Sequence, residues 1–166
     1  FDERDLKLDL LALALLVLVV FLALALFSYN PADPLGDLVW PLSSIYRADA
    51  LVHPPGTEIA NACGFGGALA ADLLLNALGL GAYYLVGSLA VLDGLLLMRR
   101  EIDSPVLRTL GWIGSLVGIT TLVAMLIPGL SPGPVIGSGG YLGAVSRSGL
   151  ETHFAFAGGL ILATSL

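Results

Sequence analysis

Asn61 to Leu85 reads NACGFGGALAADLLLNALGLGAYYL, and its glycines and single aspartate lead, without any Lys or Arg, into a strongly apolar helix. Most transmembrane helices begin at a basic or aromatic anchor, whereas this one begins in small residues that let backbones approach closely. A continuous helix from Ala68 to Met98 would be about 46 Å long, well beyond a hydrocarbon core of about 30 Å. Tilt alone would have to reach roughly 50°, outside the usual range of up to about 40°. The helix therefore breaks, and Gly79-Leu80-Gly81 is the natural place, because each glycine weakens a helix by about 1 kcal/mol. Leu80 to Met98 then spans by itself. Gly64 to Asn76 lies at or above the outer interface, away from the bilayer centre.

The rest of the chain has the same solvent. Hydrophobic residues make up 57% of it and charged residues only 12%, far from the balance of a water-soluble domain. Leu10 to Phe27 is an apolar run of about 18 residues, enough to cross. It is longer than a signal-peptide core, and Ser28-Tyr29-Asn30-Pro31 lacks a small-x-small cleavage pattern. Two more apolar segments follow at Val106 to Ile127 and from Phe154 to Leu166. The expected fold is an all-α membrane domain with four transmembrane helices and two ordered extracytoplasmic or interfacial segments, both termini inside. Its parts are a first helix over about 9–27, an outer loop 28–63, a second helix over about 66–98 broken near 79–81, and a cytoplasmic turn 99–106. A third helix follows over about 107–127, then an outer re-entrant or interfacial segment 128–150 and a fourth helix from about 151. The chain starts at Phe1 and stops about 13 residues into the last apolar run, so both ends read as cut.

Orientation follows from Lys and Arg in short loops. Arg4 and Lys7 precede the first helix, and Arg99, Arg100 and Arg108 flank the turn after the second, whereas the other side has Arg47 and Arg147. The turn is thus expected inside. The net charge of −6 and the lack of a basic cluster argue against direct contact with nucleic acid. Cys63, the single cysteine, excludes an intrachain disulfide and a cysteine metal site, and reads as a buried small residue. His53 and His153 have no metal-ligand spacing, so no metal and no cofactor is expected.

Asp72 and Asp93 are the ionisable groups of the second helix. Such groups raise the possibility of an ion path, but Asp72 falls near the outer interface, and Asp93 is six residues from Arg99, close enough to reach the inner interface or an arginine. Structural roles are expected for both. At 100° per residue Asp72, Asn76, Gly79, Tyr83, Gly87, Ala90 and Gly94 share one small and polar face, which should turn toward protein, with Leu89 directed away. Gly111, Gly114, Ser115 and Gly118 form a second narrow stripe suited to close helix contact. Outside, Ser28 to Glu58 reads as an ordered extended loop with Trp40 and Tyr46 at the headgroups. The glycines of GSGG lack the Lys-Ser/Thr and the preceding strand of a phosphate-binding loop.

The Asn61 stretch resembles the second-helix signature of the four-transmembrane N-terminal domain of FtsK/SpoIIIE DNA translocases, roughly N-x-x-G-x-x-G-A-x-x-A-D-x-L followed by G-x-x-A-Y. The matching residues are Asn61, Gly64, Gly67, Ala68, Ala71, Asp72, Leu74, Gly79, Ala82 and Tyr83. SYNPADP, from Ser28 to Pro34, is similar to the family's S-x-x-P-x-D-P, and Gly139-Gly140 with Gly143 to its G-G-x-x-G, so the resemblance covers nearly the whole chain. With Gly114 and Gly118, these are the residues expected to carry packing and family identity; none is expected to be catalytic. The resemblance implies a bacterial inner-membrane anchor at the division septum, continuing into a hexameric ATP-driven DNA pump that acts in chromosome segregation. No G-x-x-x-x-G-K-[ST] is present, so ATP and Mg belong to the motor and not to these residues. Expected partners are lipid, other copies of the chain and division-site membrane proteins. The alternatives are a small four-helix transporter or channel using the two aspartates, or a structural subunit of a larger membrane complex.

Overall fold

The structure is a computed structural model that describes residues 3–36, 44, 46, 56–98, 104–130 and 137–166. Within these residues the chain is all-helical: α1 (Glu3–Phe27), α2 (Gly64–Leu78), α3 (Gly81–Leu97), α4 (Pro105–Leu126) and α5 (Gly140–Ser165). The first helix is apolar on every side and leaves Leu13 57%, Val17 64% and Leu24 50% exposed, which is stable only where the surrounding medium is itself apolar. It ends where Ser28 Oγ turns back to donate to Leu24 O at 2.6 Å and Pro31 follows. Proline at the first turn starts α4, where its missing N–H is no loss.

By length and composition α1 and α4 can cross a membrane, and α2 with α3 supply a third crossing if the bent pair is one span. Side-chain pairings set the directions. Tyr83, at the start of α3, donates to Leu26 O at the end of α1 (3.5 Å), so these helices run antiparallel. Tyr84 with Ser115 and Ser88 with Trp112, each 2.7 Å apart, make α3 and α4 antiparallel too. A Cβ on Gly159 would lie 3.3 Å from Met125, and one on Gly118 would lie 3.0 Å from Ala163 O, so the last part of α5 returns along α4. The core where α1, α2 and α3 meet is built of Val19, Ala25, Leu26, Ala71, Leu75, Ala82 and Val86. Ala25, Ala71 and Ala82 let the three helices approach closely there.

Several boundaries differ from expectation. The first helix begins at Glu3 rather than near residue 9. The second segment is two helices related by a 110° bend, with only Gly79 and Leu80 between them. The glycine-rich stretch before residue 151 is not irregular throughout: it is helical from Gly140. That helix is interrupted at Ala155 (φ 53°, ψ 175°), so the fourth apolar run starts as a separate rod after the kink. The expected turn falls mostly on 99–103, outside the described residues, as do Trp40, Arg47 and His53.

Candidate functional site

The family-like segments meet at the end of the bundle where α1 stops. SYNPADP folds as a latch onto the chain just ahead of α2. Asn30 Oδ1 accepts from Ala32 N (3.0 Å), a local turn typical of asparagine. Asp33 accepts from Ala60 N (2.8 Å) and Asn61 N (3.2 Å), and Ser28 Oγ accepts from Ala62 N (3.0 Å). Asn61 is 5% exposed and completes the latch: its Nδ2 donates to Ala25 O at 2.9 Å and its Oδ1 accepts from Cys63 N at 3.0 Å. Backbone groups that would be orphaned between two helices are thereby satisfied. Gly64 opens α2, and Gly67 lies against Asn61 and Cys63, where a Cβ would overlap both. Cys63 is half-buried rather than fully buried, its Sγ 3.7 Å from Phe21 O.

One turn further along α2, Asp72 is 4% exposed. A carboxylate so placed needs donors, and they come from distant parts of the chain. Tyr29 donates to Oδ1 at 3.4 Å and Tyr46 donates to Oδ2. Asn76 Nδ2 in turn donates to the Tyr46 hydroxyl (2.6 Å) and to Asp72 O (2.9 Å). Burial, reinforced by the charge and hydrogen bonding of Asp72, pushes both phenols well above the usual tyrosine range. They stay protonated and serve as donors. The cluster can hold three chain segments together. A nucleophile–base pair is not among its members.

The third part is a backbone junction. Gly79 (φ +56°) and Gly140 (φ +61°) lie against one another: a Cβ on Gly140 would sit 2.5 Å from Gly79 N, and one on Gly79 would sit 2.6 Å from Gly140 N. Both the sign of φ and the lack of space demand glycine. The amide that the bend frees, Leu80 N, donates to Ser138 O at 2.7 Å. Gly81, Gly139 and Gly143 all pack on Thr120 of α4, which is fully buried. Ser138, 1% exposed, donates from Oγ to Val123 O, and the Arg147 guanidinium donates to Ala124 O at 2.8 Å. Both bind the last turn of α4: Val123 O accepts from Ser138 in addition to Ile127 N, and Arg147 caps the carbonyl of Ala124.

Asn61, Gly64, Gly67, Asp72, Gly79, Gly139, Gly140 and Gly143 are thus gathered at one end of the molecule. Tyr83 stands just below, its ring 5.8 Å from that of Phe27. The helix-two stripe, however, does not continue past the bend. Gly87 and Ala90 are exposed, a Cβ on Gly87 would meet nothing within 4 Å, and Leu89 packs against the core instead. A 110° turn resets the angular register, so counting 100° per residue across it fails. Asp93 is on the buried face of α3 at 3% exposure, and its Oδ1 has no hydrogen-bond partner among the described residues. Arg99 and Arg100, its expected partners, lie outside them. In α4, Gly118 and Gly114 face the last residues of α5 within the chain, whereas Gly111 is open. Ser138 and Thr120 were not legible as site residues. A serine beside two glycines and a threonine in an apolar helix have no distinguishing spacing.

No group of three or more His, Cys, Asp or Glu able to hold a metal occurs among the described residues. The family model for the 4TM region of DNA translocase FtsK/SpoIIIE matches residues 4–166. No curated protein and no solved structure matches the chain.

Proposed function

We infer the function from the family to which the chain belongs, that of the 4TM region of FtsK/SpoIIIE DNA translocases: it anchors a DNA-translocating motor in the bacterial inner membrane and assembles it at the division septum. The observation that carries this reading is the family match over residues 4–166. The arrangement of the polar residues supports it. Asp33, Asn61, Asp72 and Ser138 are engaged in joining chain segments, so what the fold offers to others is surface rather than chemistry. ATP hydrolysis belongs to a motor outside these residues, and with it the Mg ion and the contact with DNA. A hexameric motor would hold about six anchors close together, and tethering raises their effective concentration to the mM range, so weak contacts between copies suffice.

One face is open to such contacts. Leu73 and Tyr141, 40% and 57% exposed, border a groove between α2 and α5 that also takes in Tyr46 and Val145. Photo-crosslinkers placed at Leu73 and Tyr141 in living cells are expected to capture further copies of the chain or other division-site membrane proteins. The transporter alternative draws on one specific feature, the buried Asp93, whose Oδ1 has no hydrogen-bond partner among the described residues. Proteoliposomes decide between the two: the purified chain should conduct no ions. A flux abolished by Asp72→Asn or Asp93→Asn would overturn the anchor reading and establish transport.

A further inference from the structure

A groove of about 720 Å³ runs between α3 and α4, bounded by Gly87, Leu92, Leu95 and Trp112, with Arg108 at one end. We propose that it binds one anionic phospholipid, an acyl chain lying along the groove and the phosphate at Arg108. The wall selects hydrocarbon because its polar groups already serve one another. Ser88 Oγ donates to Leu85 O (2.8 Å) and accepts from Trp112 Nε1 (2.7 Å), and the Tyr84 hydroxyl pairs with Ser115. Nothing in the floor calls for a polar ligand. Length agrees as well: Tyr84 to Leu95 covers about 17 Å of helix, close to half of a hydrocarbon core of about 30 Å, so the groove is as long as one leaflet is deep.

Charge fixes the headgroup. Arg108 lies in the first turn of α4, three residues after Pro105, so its exposed guanidinium stands at the level where an apolar helix leaves the hydrocarbon. An arginine there offers a fork of N–H donors to a phosphate oxygen pair. Gly87 supplies the width, since a Cβ at that position would meet no atom within 4 Å. A second copy of the chain would need a side chain protruding into the groove and an acidic partner for Arg108. Lipid is already present at that depth and brings its own negative charge.

The experiment is native mass spectrometry of the intact protein, equilibrated with equal amounts of dioleoyl phosphatidylglycerol and dioleoyl phosphatidylcholine. One phosphatidylglycerol per chain should be retained, about fivefold over phosphatidylcholine, the factor that one basic side chain supplies toward an anionic lipid. Arg108→Gln should remove the preference while lipid of both kinds is still held. Gly87→Leu should expel both by filling the groove. Neither position is packed against the core, so Arg108→Gln should unfold at the parent's temperature and Gly87→Leu at the same or a higher one, leucine being the better helix former, and this control keeps a null result interpretable. Equal retention of the two lipids by the parent, or an unchanged preference in Arg108→Gln, overturns the proposal. So does a lipid-free dimer that Gly87→Leu dissociates, which would assign the groove to a second copy.

Discussion

Asp72 shows how a charged residue is accommodated at the edge of an apolar fold. Its carboxylate, 4% exposed, accepts from two tyrosines of the connection between α1 and α2. Removing one donor leaves a buried negative charge short of a partner, which costs about 1.5–3 kcal/mol for hydrogen bonds to charged groups. Tyr46→Phe is therefore expected to lower stability by about 2 kcal/mol, measured by thermal unfolding in detergent micelles, with the fold retained. Alkaline pH acts on the same contacts. Burial and the adjacent Asp72 raise the Tyr29 and Tyr46 phenols above their ordinary value, so the folded state keeps protons that the unfolded chain releases above about pH 10. Their stabilisation is complete below that pH and declines as pH rises beyond it. Unfolding temperatures at pH 9 and pH 11 should differ more in the parent than in the Tyr29→Phe/Tyr46→Phe double variant. An equal difference would show that these phenols do not titrate late.

At the level of elements, the bend between α2 and α3 is made by backbone contact rather than by side chains. Gly79 and Gly140 each combine a positive φ with the other's main chain inside Cβ distance. Gly79→Ala and Gly140→Ala should each cost more than about 1 kcal/mol, since alanine fits neither the dihedral nor the space. Gly87→Ala should do the opposite. It sits mid-helix in open space, where alanine is favoured over glycine by about 0.5–1 kcal/mol. The α5 kink makes a related prediction. Ala155 has φ 53° and ψ 175°, a region that only glycine occupies comfortably, at a cost of about 1–3 kcal/mol to other residues. Ala155→Gly should raise the unfolding temperature, whereas a drop would mean that α5 is straightened there in the membrane.

For the whole molecule, the open question of orientation has a direct test. The Lys and Arg distribution leads one to expect the α3–α4 turn inside and the latch outside. Ser138, within the second outer segment, would be a poor reporter because it is 1% exposed. Ala62 and Ser104 are exposed and serve instead. In a Cys63→Ala background, Ala62→Cys should react with an impermeant thiol reagent added to intact cells, and Ser104→Cys only after lysis. The reverse pattern would invert the molecule and place the end-junction, with its grooves, on the inner side. Either way the junction is one unit: α2, the loop ahead of it and the start of α5 are joined by Asp33, Asp72, Asn76 and the Gly79–Gly140 contact. A change in any of them should be felt across all three.

Apolar length and glycine placement were enough to read an all-helical membrane chain, its apolar segments and a break at Gly79-Leu80-Gly81, because hydrocarbon thickness sets the length of a span and glycine sets where a helix yields. The family pattern was legible for the same reason, as its glycines and its aspartate sit at spacings that the chain itself displays. The angle of the break was not. Its 110° value depends on Ser138 and Gly140 arriving from some sixty residues away to take up the Leu80 amide and the Gly79 backbone. Leu89 therefore faces the core while Gly87 lies open, contrary to a face counted along one continuous helix. Helicity from Gly140 and the kink at Ala155 were hidden likewise, since glycine-rich composition reads as irregular until packing on Thr120 and Ala124 supplies a reason for it to coil. Local periodicity decides what a segment can be. Which residues of distant segments share a junction is decided by tertiary contact alone.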